Sequence, residues 1–216
     1  MESDEKFSNE QLLVCDNDIY FNGPINTTSM SKLSNELIKL ESKLLKEERR
    51  LKKKIDDVLR GDKELYSQIY ENTNETCDVE IKVTNKPIRL FITSNGGSVH
   101  QALMVYDMIS SLRIPVYTIC RGYVASAGTI LSLAGKKRYI TQNSYMLIHQ
   151  LSAGGWGKFN SMTDQYENAK KLMEHIKSIY AKTTKITLEE LDEIMKHDIS
   201  WNSKICLEKG LVQEII

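Results

Sequence analysis

The chain has 216 residues, 41% of them hydrophobic and 27% charged, a length and composition that suit one soluble domain with a full core and an appendage. Lys and Arg number 29 and Asp and Glu also number 29, so the formal net charge is zero and the basic excess of a nucleic-acid binder is missing. No apolar run approaches the roughly 20 residues of a membrane span. The start, Met1-Glu2-Ser3-Asp4-Glu5-Lys6, lacks the basic-then-apolar order of a secretory leader, so a cytoplasmic protein is expected. Cys15, Cys77, Cys120 and Cys206 are far apart, as are His100, His149, His175 and His197. Neither set has metal-ligand or disulfide-framework spacing, so free thiols and no metal or other cofactor are expected.

Residues 1–12 are polar and read as loose. Ile19-Tyr20-Phe21, closed by Asn22-Gly23-Pro24, reads as a strand and turn. Asn26-Thr27-Thr28-Ser29 offers helix caps, and Leu33, Leu37, Leu40 and Leu44 form a stripe that weakens through Leu51, Ile55 and Val58 to a stop at Gly61. The charge run 46–54 within it reads as a solvated helical extension or a partner-binding projection. Residues 61–86 look irregular, with a loop at Asn72–Thr76, a possible strand at Val79–Val83 and a chance glycosylation pattern at Asn74-Glu75-Thr76.

From Pro87 strands and helices alternate. Ile88–Ile92 is a strand, Ser94–Ser98 a Gly-rich turn, and Val99–Leu112 a helix. Val116–Cys120 is a strand, Gly122–Gly128 a second small-residue turn, and Thr129–Ala134 a helix. Strands follow near Arg138–Ile140 and Met146–Ile148, then the glycine-rich Ala153–Gly157. A long amphipathic helix spans about Ser161–Lys182, with Met162, Tyr166, Ala169, Met173, Ile176 and Tyr180 on one face. Thr187 with Glu190 forms a capping box, and the end holds one more helix start and a short strand. The pattern predicts an α/β fold of repeated units around a mostly parallel sheet.

Two turns draw chemical interest. In Gly122–Gly128, Ser126 stands between Ala125 and Ala127 on a strand-to-helix turn, where a serine hydroxyl is exposed and small neighbours let a substrate approach. The same serine also reads as an ordinary helix cap. Asn95-Gly96-Gly97-Ser98 offers backbone N–H groups for an oxyanion or a phosphate, or makes only a tight connection. It lacks the Gly-Lys-Ser/Thr ending of a nucleotide-binding loop. Taken singly, His149 reads as a boundary residue after an apolar strand as well as a base, and Asp198 as a cap.

In combination, these segments resemble the proteolytic subunit of the Clp protease (the ClpP family, of the ClpP/crotonase-like fold). The resemblance rests on Ile92–Val99, Gly122–Gly128 with its central serine, Met146-Leu147-Ile148-His149-Gln150, and Gly210-Leu211-Val212, all within residues 88–216, with Ile19–Leu44 similar to the family's first strand and helix. It implies one peptidase domain over 1–216, with 45–86 as a charged insertion of no recognised counterpart and about 151–182, including a strand at Gly154-Gly155, as a protruding handle. It implies a serine endopeptidase: Ser126 as nucleophile, His149 as base, Asp198 as the triad acid, and the N–H groups of Gly97 and Ala127 as the oxyanion hole. Its substrate would be unfolded polypeptide, held as an added strand, in a chamber of stacked seven-subunit rings fed by an AAA+ ATPase. Asn95 and Leu151 stand where the family usually has prolines. A ring-forming paralogue without activity, a Ser–Lys peptidase and acyl chemistry of the crotonase type remain the alternatives.

Overall fold

The computed structural model describes residues 11–61 and 86–216. In chain order the elements are β1 (Gln11–Cys15), β2 (Asp18–Asn22), α1 (Thr27–Gly61), β3 (Ile88–Ser94), α2 (Val99–Ser111), β4 (Val116–Ala125), α3 (Ala127–Leu133), β5 (Lys137–Ile140), β6 (Tyr145–Leu147), α4 (Phe159–Thr183), α5 (Leu188–Ile194), β7 (Ser200–Asn202), α6 (Ser203–Glu208) and β8 (Glu214–Ile215). The loop 72–76 with its glycosylation pattern and the strand 79–83 lie outside the described residues.

The strands form one sheet, ordered β1-β2-β3-β4-β5-β8, with β6 also on β4 and β7 beyond β6. All pairings are parallel except β1 with β2 and β6 with β7. The α/β class and the mostly parallel sheet are therefore as the alternating pattern predicts. In β3 the residues Ile88, Leu90 and Ile92 are buried while Arg89 is exposed, so the apolar set faces the helices on one side.

Three local expectations are corrected. Gln11 and Leu12 are not loose: β1 pairs with β2 across Asp16-Asn17, where Asp16 takes a positive φ of 53°. Asp is one of the few side chains that tolerate this conformation, so the turn closes without glycine. The second small-residue segment is not a turn from Gly122: β4 runs on to Ala125, and the chain turns only at Ser126. Gly122, at φ 62°, marks where β4 leaves β5 and takes β6 as its partner. Gly154-Gly155 forms no strand, and 152–158 is exposed. Unpaired backbone beside no neighbour has no ladder to join.

Helix packing follows the stripes. Asn26 and Ser29 exchange side-chain bonds with each other's N–H at 2.9 and 3.0 Å at the start of α1. Leu33, Leu37, Leu40 and Leu44 are buried, and among the described residues of α1 none beyond Leu44 is. The helix therefore projects from the body for its second half. α4 is similar: Ile176, Ile179 and Tyr180 are buried near its end, while Phe159, Met162 and Tyr166 near its start are exposed. The Thr187–Glu190 capping box closes the start of α5, with bonds of 3.1 and 3.2 Å.

Candidate active site

The turn between β4 and α3 carries Ser126 in a conformation that side chains seldom adopt, φ 56° and ψ −129°. Such a residue persists only where its surroundings over-determine it. Three contacts do so. The Ser126 N–H donates to the Leu147 carbonyl at 2.9 Å, fastening the turn to β6. Its own carbonyl accepts from the Thr129 N–H at 2.9 Å and from the Thr129 hydroxyl at 2.6 Å. The Ser126 hydroxyl makes no capping bond of its own, so the cap reading of this serine does not hold.

The first Gly-rich turn lies directly against the second. A Cβ on Gly96 would stand 2.6 Å from Ser126 Cβ and 2.8 Å from the Ala125 carbonyl oxygen, and Gly96 has φ 94°. No other residue fits this approach. Ile25 N–H donates to the Gly96 carbonyl and Ser98 N–H donates to the Ile25 carbonyl, both at 2.8 Å. This bridge fixes the exposed Gly97, φ 143°, while the ladder leaves its N–H outside. Ala127 is the first residue of α3, so its N–H has no helical partner behind it.

Strand register positions His149 and Asp198. β4 and β6 run parallel with Ala125 opposite Leu147, so Ser126 follows one residue, and His149 two, beyond the last paired position of the two strands. β6 and β7 run antiparallel with Leu147 opposite Ser200. Two further steps along each strand bring His149 to Asp198, and Nδ1 of the first lies 3.5 Å from Oδ1 of the second. The Gln150 N–H donates to the Met195 carbonyl at 3.1 Å, holding the chain after His149 against the end of α5. His149 is half-buried and Asp198 exposed.

A groove of about 660 Å³ opens beside this pair, between α4 and α5. Gln150 and Leu151 form its rim, with Met173, Lys177 and Asp192 among the residues below. The Lys177 ammonium sits 2.8 Å from Asp192 and 2.9 Å from Glu174. Hydrogen bonds to Asp192 and then Glu174 hold its pKa above the ordinary lysine value. Sequence reasoning passed over this groove, because it depends on two helices meeting, and only the local Glu174–Lys177 spacing was visible.

Among the described residues no His, Cys, Asp and Glu cluster is arranged to hold a metal, and no helix is long and apolar enough to cross a membrane. The chain is similar to the ATP-dependent Clp protease proteolytic subunit of Deinococcus radiodurans, 34% identical over 131 residues. That stretch is 60% of this chain and 64% of the relative, so the alignment leaves over a third of the relative's length unmatched. A family model described as Clp protease matches residues 57–216, which hold both turns, His149 and Asp198. Since that match takes in well over half of the sequence, the chain belongs to the Clp protease family.

Proposed function

We propose that this protein is a serine endopeptidase in which Ser126 is the nucleophile, His149 the general base and Asp198 the group that orients it. The observation that carries the reading is the strained Ser126 turn fastened at Leu147 to the strand that His149 follows by two residues. With Nδ1 of His149 turned toward Asp198, Nδ1 carries the ring proton and Nε2 is left to accept. Ser126 Oγ attacks the scissile carbonyl carbon and its proton passes to Nε2. The oxyanion that forms is met by the N–H groups of Gly97 and Ala127, each such donor worth about 10²–10³-fold in rate. The intermediate collapses as His149 returns the proton to the leaving amine. Water, activated by the same imidazole, then releases the acyl group.

Extended polypeptide is the substrate that suits the site. In this reading a substrate strand lies beside the chain after Gly97 and the stretch after His149, where Gly97, Ser98 and Gln150 are exposed. The open apolar residues Trp156, Phe159 and Tyr166 support a further step, in which the handles of several copies interlock. In this reading the copies form stacked seven-subunit rings in the cytoplasm, supplied with unfolded chains by an AAA+ ATPase. The test is a serine-reactive fluorophosphonate followed by location of the modified residue, alongside turnover of a short fluorogenic peptide. Modification at Ser126, and loss of both labelling and turnover in a folded Ser126→Ala variant, is the expected result. Undiminished turnover in that variant, or a probe found elsewhere, overturns the assignment.

A further inference from the structure

The contacts behind Ser126 run deeper than the turn itself. Thr129 is fully buried, and its single hydroxyl proton is given to the Ser126 carbonyl at 2.6 Å. The Tyr180 hydroxyl, from the buried end of α4, bonds to the same Thr129 oxygen. Proton counting then fixes the direction. Thr129 has no second proton to offer, so Tyr180 donates to Thr129 and Thr129 donates to Ser126. Burial pushes the Tyr180 phenol well above its ordinary value, which keeps it a neutral donor across the working pH range. Hydroxyls in series polarise one another, so the outer donor strengthens the inner bond.

We propose that Tyr180 is a positioning residue: its hydroxyl, acting through Thr129, holds the Ser126 carbonyl and so maintains the strained turn that aims the Ser126 side chain. It touches neither substrate nor the reacting atoms. α3 and α4 are separate elements, and the Tyr180 hydroxyl, on the buried end of α4 that also holds Ile176 and Ile179, joins them at Thr129. The Thr129 N–H, also bonded to the Ser126 carbonyl, reports the state of the turn independently of any chemistry.

The inference rests on Ser126 as nucleophile for its kinetic consequence but not for its structural one, and the experiment separates the two. Tyr180→Phe keeps the ring and removes only the donor; Thr129→Val keeps the shape and removes the relay; Thr129→Ser keeps the relay. Fluorophosphonate labelling of Ser126 should slow about tenfold in Tyr180→Phe, the scale of one hydrogen bond. Peptide turnover should show the loss in kcat with KM unchanged. Thr129→Ser should label like the parent. Tyr180→Phe combined with Thr129→Val should be no slower than Thr129→Val alone, because the outer donor acts only through the inner one. Hydrogen exchange at the Thr129 amide should quicken in Tyr180→Phe while amides in the middle of α4 are unchanged. Parental labelling in Tyr180→Phe, or losses that multiply in the double variant, would sink the proposal. If the parent itself is not labelled, the nucleophile reading falls, and Thr129 amide exchange decides Tyr180 by itself: unchanged exchange in Tyr180→Phe rejects it.

Discussion

Ser126 and Gly96 constrain each other. The serine turns the chain at φ 56°, and the glycine leaves room for its Cβ only because it has none of its own. Gly96→Ala meets two penalties at once. Its φ of 94° is disfavoured for any L side chain, and the added methyl would stand 2.6 Å from Ser126 Cβ and 2.8 Å from the Ala125 carbonyl oxygen. Neither neighbour is the free end of a flexible side chain, so one turn must shift. The strain of such a position is about 1–3 kcal/mol. The variant should melt lower by the corresponding amount, and Ser126 should label far more slowly than the fall in folded fraction explains. A variant that labels at the parental rate would show that the two turns are free to move apart. Gly97 is tighter still, but against Ile25: an added Cβ would stand 2.2 Å from the Ile25 carbonyl oxygen, so alanine there should disturb folding at the end of β2 first.

Among the elements, α5 gives a pH-dependent test. The Glu190 carboxylate accepts from the Thr187 N–H and meets Lys209 at 3.0 Å. The backbone bond first, then Lys209, holds its pKa below the ordinary glutamate value. A carboxyl depressed in the folded state contributes stability above its unfolded value and loses it as pH falls through the lower folded one. Glu190→Gln retains an acceptor but no charge. The difference in melting temperature between parent and Glu190→Gln should therefore be complete at neutral pH and close in acid, below the usual glutamate range. A difference that stays constant down the whole acid limb would remove the charge from the account. This box was legible in the sequence, as were the stripe of α1 and the buried Ile176 and Tyr180 of α4, because each is written in local spacing, but Met162 and Tyr166 of the same α4 face are exposed. β1 and β7 were not: β7 has three residues, too few for a period, and it exists because Ser200–Asn202 find β6. The Gly154-Gly155 strand failed for the converse reason, an extended segment with no neighbour in one chain. Ser126, His149 and Asp198 each carried a bland reading alone. Only the order of several segments singled them out, and what brings the last two within 3.5 Å is the register of two short pairings that no local pattern reveals.

At the scale of the molecule, the question is what the projecting half of α1 contributes. Its buried side chains end at Leu44, and half-buried Leu45 still packs against the core; Leu51 and Val58 are exposed, as is the charge run 46–54 apart from half-buried Glu48. Removing surface that is already hydrated forfeits little burial energy. The two ends of the stretch 45–86 are also close. Lys43 and Leu44 on one side and Lys86 and Pro87 on the other line the same cavity of about 860 Å³, with Asp18 and Arg89. Asp18 and Arg89 join β2 to β3 there through two bonds of 2.6 and 2.5 Å, and this clamp does not involve the stretch itself. A flexible linker of about six Gly and Ser residues, with a mean reach of roughly 13 Å, should close the gap. The family match begins at residue 57, within this projecting half, so sequence similarity alone does not mark it as dispensable. Geometry does, since Ser126, His149 and Asp198 are placed by β4, β6 and β7 without any contribution from 45–61. Replacing 45–86 by that linker should leave a folded protein whose Ser126 is modified by a fluorophosphonate at the parental rate. A folded variant that no longer labels would mean that the excised stretch shapes the site, and the projection would have to be counted as part of the catalytic domain.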